Sequence, residues 1–158
     1  MSYPKYRKEN KMKKLFAIIL LLSVGRAVSV AQTAVRQGSG SYGNILYNWD
    51  GKYLRIGSSS YGDILINWDG KYIRKGSSSY GDVLYNWDGE NYREGSSDYG
   101  DILYNRDGVY IRKGSSSYGD VLFNFDGKFV RKGSSSYGEI LFNIDGKLPA
   151  AILIYILE

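Results

Sequence analysis

Between residues 38 and 147 the apolar positions come in short runs that return every nineteen residues, six times, with no insertion or deletion. The copies begin at Gly38, Gly57, Gly76, Gly95, Gly114 and Gly133, and the third, GSSSYGDVLYNWDGENYRE, shows the parts. A Gly/Ser stretch leads into an apolar run, a polar turn and a second short run. A fixed period of this length means one supersecondary unit set against copies of itself, so the array is the protein. The runs are too short for helices, are rich in β-branched and aromatic residues, and are bounded by Gly, Asn and Asp, which predicts two strands per unit.

The turn between the runs carries the sharpest local signal. Asn48-Trp49-Asp50-Gly51 recurs as Asn67 to Gly70 through Asp69, Asn86 to Gly89 through Asp88, Asn105 to Gly108 through Asp107, Asn124 to Gly127 through Asp126, and Asn143 to Gly146 through Asp145. Asn at the start and Gly where positive φ is needed predict a three-residue hairpin loop closed by a Gly bulge. These eighteen residues are read as turn formers that bind nothing. The loop sets a register in which Ile66 faces Tyr72, Leu65 faces Ile73, Ile64 faces Arg74 and Asp63 faces Lys75. Like meets like and opposite charges close the open end.

Alternation divides the side chains into a face bearing Leu46, Leu65, Leu84, Leu103, Leu122 and Leu141 and a face bearing the Tyr/Phe pairs. Neither is polar, so the array must twist or curl until one stripe becomes core. The fold class is therefore all-β: six hairpins stacked into an elongated, twisted sheet or solenoid-like array, with a parallel two-sheet β-solenoid as the alternative. The connector Gly-Ser-Ser-Ser-Tyr-Gly, as at 76–81, has fixed length and Tyr always fifth, which predicts an ordered segment with the Tyr tucked against the sheet. After residue 147 the pattern ends in an almost wholly apolar tail, 148–158, read as a cap strand on the end of the array or as a strand that docks on a partner. Pro149 marks where pairing stops.

The start of the chain changes the charge. Met12, Lys13 and Lys14, then Leu15 to Val24, then small residues before Gln32 have the layout of a secretory signal peptide, which makes 1–31 a leader starting at Met12 and 32–37 a short N-terminal segment. The formal +5 of the whole chain comes from 21 basic and 16 acidic residues, of which 14 and 15 lie after residue 31. The exported chain is near neutral, offers no basic patch for nucleic acid, and has no run long enough to span a bilayer as a helix. It has no cysteine, so no disulfide holds it.

Catalysis has little to stand on. There is no His or Cys, the connector serines repeat without a unique partner base, and the Asp residues form regular rows at turns and strand ends. No cofactor is implied. The hairpin-tip position, Trp49, Trp68, Trp87, Arg106, Phe125 and Ile144, forms a row that would suit stacked sugars if displayed, at about 10 Å per unit from two strand spacings.

An apolar run, an Asp-Gly turn, an aromatic, a basic residue and Gly resemble the hairpin units of MORN-type repeats and, more distantly, those of choline-binding and clostridial-toxin repeats. The resemblance covers residues 38–147 and implies open hairpin arrays that bind partners, glycans or lipids. Tyr80-Gly81-Asp82-Val83-Leu84-Tyr85-Asn86 with Asp88-Gly89 also resembles half of an RTX nonapeptide pair, which implies parallel strands with Ca²⁺ on Asp63, Asp82, Asp101 and Asp120. Lys and Arg stand where that pattern needs ligands, and Asn44 and Glu139 interrupt the series. The sequence thus points to an exported, non-catalytic repeat protein acting as a structural, adhesive or protein-contact surface. A glycan-binding row and a calcium β-roll are the alternatives. A surface protein or a polysaccharide is the expected partner, with self-association through the array ends.

Overall fold

The computed structural model describes residues 32–158, and the leader read at 1–31 lies outside the described residues. Twelve strands, every pairing antiparallel, close into a barrel. They are β1 (Thr33–Gln37), β2 (Ile45–Trp49), β3 (Tyr53–Ile56), β4 (Ile64–Trp68), β5 (Tyr72–Lys75), β6 (Val83–Trp87), β7 (Asn91–Glu94), β8 (Ile102–Asp107), β9 (Tyr110–Lys113), β10 (Val121–Phe125), β11 (Phe129–Lys132) and β12 (Ile140–Asp145). A helix, α1 (Ala150–Leu157), follows. The expected elongated array is therefore a closed ring, and the parallel solenoid is excluded.

The ring closes through β1. Its Ala34-Val35-Arg36-Gln37-Gly38 follows the second-strand pattern Tyr53-Leu54-Arg55-Ile56-Gly57, and it pairs with β12 as that strand would: Val35 faces Ile144 and Arg36 faces Asn143, as Leu54 faces Trp49 and Arg55 faces Asn48. The sixth hairpin is thus assembled from the two ends of the chain. Thr33 locks the seam, its Oγ1 donating to the Lys147 carbonyl (2.9 Å) and accepting from the Lys147 N–H (3.0 Å).

The hairpin register differs from the expected one by three residues. Ile66 faces Lys75, Asn67 faces Arg74 and Trp68 faces Ile73. The strand runs on through Trp68 because Asp69 alone makes the turn: its Oδ1 accepts the N–H groups of Lys71 (2.9 Å) and Tyr72 (2.7 Å), and Gly70 follows at φ +103°.

The bend that closes the ring comes from the other pairing in each unit. Between β3 and β4 the register slips at Leu54/Arg55, so Leu65 has no partner and forms a bulge. The same slip occurs in all six connector-side pairings. Leu46, Leu65, Leu84, Leu103, Leu122 and Leu141 are therefore bulge residues and not one face of a flat strand. A bulge bends and twists its strand, and six identical bends add up to closure.

Twelve strands enclose more space than side chains alone can fill, since about eight strands is the size at which they do. α1 fills the rest. Ala150, Ala151, Ile152, Leu153 and Ile154 are all at most 6% exposed, and a helix buried on every side must be surrounded. They form one core with Val35, Leu54, Ile66, Ile73, Tyr92, Ile111 and Val130 from the wall. The tail expected as a cap strand is a helix inside the lumen. Its three fully buried aliphatic residues contribute roughly 5–9 kcal/mol of apolar burial before ordering costs.

Candidate contact surface

The six connectors are the part of the ring built outward. Each leaves its second strand and folds back over its own hairpin, held by the buried Asn of the first strand. Asn48 Nδ2 donates to the Gly57 (2.7 Å) and Ser59 (3.0 Å) carbonyls, and Asn67 does the same to Gly76 and Ser78. Asn86, Asn105 and Asn124 repeat the clamp. Asn143 reaches across the seam to Ser39. The Asn read from sequence as turn formers are buried connector clamps. The Asp beside them needs no help to turn the chain.

Within a connector, Gly62 N–H donates to the Ser59 carbonyl (3.1 Å) and Tyr61 N–H to Ser59 Oγ (3.1 Å). The closing glycine is required by space: a Cβ on Gly62 would lie 2.9 Å from the Ile56 carbonyl oxygen. This tight turn leaves Tyr61 at its tip, pointing away. Tyr42, Tyr61, Tyr80, Tyr99, Tyr118 and Tyr137 are 97–101% exposed. The expected tucked Tyr is overturned, because backbone clamps and not the ring order the connector.

The tip row has the opposite fate. Trp49, Trp87, Phe125 and Ile144 are buried, Trp68 is half-buried, and only Arg106 is exposed. Pairing through the tip puts Trp49 beside Leu54 and Trp87 beside Tyr92 on the inward face, with Trp49 and Trp68 rings 6.2 Å apart. The displayed row that sugar stacking requires does not form.

Around the outer wall runs a belt of ion pairs. Arg55, Arg74, Arg93 and Arg131 bind Asp50, Asp69, Asp88 and Asp126 at 2.5–2.7 Å. Arg55 and Arg74 also lie over the Tyr53 and Tyr72 rings, and Arg131 over Phe129. Burial works against ionisation of these carboxylates. The turn N–H groups and the guanidinium outweigh it and hold Asp50, Asp69, Asp88 and Asp126 below the usual range. Asp107 and Asp145 stand 3.8 Å from Arg112 and Arg36. Inside, burial and then the Glu158 carboxylate push the Tyr85 hydroxyl up to about 12, and burial raises Tyr92 further.

The candidate calcium ligands Asp63, Asp82, Asp101 and Asp120 are exposed, each at the foot of a separate connector. Among the described residues no three acidic side chains converge as a metal site. A cavity of about 110 Å³ at the seam is lined by Arg36, Ser41, Lys128, Asn143, Ile144 and Asp145, well below the roughly 300 Å³ at which small-molecule sites begin. No helix among the described residues is long and apolar enough to cross a membrane.

The geometry defines a closed ring of antiparallel hairpin repeats with six outward connectors. Residues 35–153 match the family described as 6-fold beta flower protein, and the chain belongs to that family. The match is to a hairpin-repeat family and does not extend to the MORN-type, choline-binding or RTX repeats that the hairpins resemble. No curated protein and no solved structure matches the chain.

Proposed function

We propose that this is an exported, non-catalytic contact module that adheres to a protein surface through the six connector tyrosines. The observation that carries the reading is their complete exposure at six equivalent, clamped positions. Tyr offers a large amphipathic contact area for only two rotatable bonds, and Ser and Gly beside it supply adaptable hydrogen bonds, the composition of protein-binding loops. Clamped backbones lower the ordering cost of contact. Six weak contacts on one rigid ring gain strength from multivalency. The absence of His and Cys from the chain and the small seam cavity favour contact over chemistry.

The test compares the full chain with a variant carrying Tyr→Ser at all six positions, each immobilised and offered cell-envelope fractions digested with protease or with polysaccharide hydrolases. Retention of the undigested fraction should need the tyrosines, survive polysaccharide digestion and disappear after protease. Loss on polysaccharide digestion alone would assign a glycan. Equal retention by the variant would sink the reading.

A further inference from the structure

The wall and the plug of this barrel are joined by different forces. Every strand has two hydrogen-bonded neighbours, so the wall is complete in its backbone bonding without α1. The helix has no side-chain cap, and its first-turn bonds run back to the Pro149 carbonyl within the same segment. What holds it is apolar side-chain packing against Ile66, Ile73, Tyr92, Ile111 and Val130, with Tyr155 edge-on to Tyr85 at 6.2 Å. The link between wall and plug is short and lies at the surface: Gly146 and Lys147 are exposed, and the chain is buried again from Leu148.

We infer that the lumen is a binding site for an apolar helical segment, and that it takes this segment from a second copy of the chain as well as from its own. The ring of any copy offers the same lining, so a helix entering from a neighbour makes the contacts it makes at home. The cis arrangement is favoured only by its tether, which for short links is worth an effective concentration of the order of millimolar. The link itself is unstrained in the closed ring, because glycine adopts positive φ freely. Gly146 is held at φ +123° with no room for a Cβ, which would lie 2.6 Å from Thr33 Oγ1, and Lys147 is pinned by both Thr33 bonds. Opening the link gives up the two Thr33 bonds, which the Lys147 that enters with a neighbour's helix can remake. Reciprocal exchange gives a closed two-ring assembly in which each lumen is filled by its partner's tail, the low-cost route to dimers that swapping of an identical element provides. Such an assembly carries twelve exposed tyrosines in place of six.

The experiment uses the full chain with a specific protease site inserted between Gly146 and Lys147. The folded protein is cut and mixed with an excess of dye-labelled synthetic peptide spanning Leu148 to Glu158. The ring should take up one label per wall with its β-sheet signal unchanged, and a peptide carrying Ile152→Lys and Ile154→Lys should not enter. A wall that keeps its own segment throughout, or that unfolds when cut, overturns the inference. In a second arm, two batches of uncut chain bearing different dyes are mixed, concentrated and warmed below the unfolding midpoint. A species of twice the mass carrying both dyes should form, and saturating free peptide should suppress it. A two-dye species indifferent to the peptide, or no such species below the onset of unfolding, overturns the exchange with a second copy.

Discussion

In four of the six hairpins both ends are aromatic, and the structure treats them in opposite ways. At the Asp-Gly end the aromatic position turns inward and joins the core, as Trp49, Trp87 and Phe125 do; at the connector end Tyr61 and its five counterparts stand in solvent. The tip position varies among the copies, Trp, Trp, Trp, Arg, Phe and Ile, with only the Arg turned out to solvent, whereas the connector position is Tyr six times. A packed site tolerates several fillings because neighbours and the plug adjust around it. An exposed residue held constant has no packing to explain it. At these two positions, then, the variable site is the one that packs, Arg106 excepted, and the uniform site is the one that faces solvent.

The sharpest way to break this contrast is to truncate one member of each set. Trp87→Ala empties a core site and should cost about 3–5 kcal/mol in denaturant melts; a cost below about 1 kcal/mol would show the tip is displayed after all. Asn86→Ala leaves the Gly95 and Ser97 carbonyls without their donor and should cost about 1–3 kcal/mol. Amide exchange should quicken in residues 95–100 while the strands stay protected, and uniform quickening would mean that the clamp belongs to the wall. Acid should act on the belt. The four low-titrating aspartates keep their stabilisation above the unfolded carboxylate value of about 3.9 and lose it as pH falls below that towards their depressed values. The melting midpoint should drop over that window, and Asp69→Asn should shrink the drop. In alkali the sign reverses: Tyr85 holds its proton more tightly when folded, so stability is lost as pH climbs from about 10 towards about 12. The smallest effect belongs to Tyr80→Ser, expected within about 0.5 kcal/mol of the parent. A larger loss would place the connector tyrosines in the structure and not on its surface.

Much of the unit was legible in the residues and much of the assembly was not. Repeated Asp-Gly pairs announce turns because only a few side chains satisfy their backbone, and Gly51, Gly70 and Gly89 sit at φ +97°, +103° and +107°. The Asn beside them carries the same turn propensity, yet its amide is spent on a connector nine residues away, a pairing that local propensity does not encode. The connector tyrosines were visible as a fixed position, but an ordered loop and a tucked ring look alike in sequence. A signal for closure was present and short: Ala34-Val35-Arg36-Gln37-Gly38 reads as a stray second strand ahead of the first full unit.

By itself the sequence determined the two-stranded unit and its count, because each depends on residues within one period; antiparallel hairpins and a parallel coil both fitted those residues. The tertiary structure alone decided that the units meet end to end, since closure comes from six bulges acting together and from a half-hairpin at each terminus. It also decided which aromatics are hidden. Only a ring has an inside, and only a ring of twelve strands has a lumen wide enough to turn an apolar tail into its core.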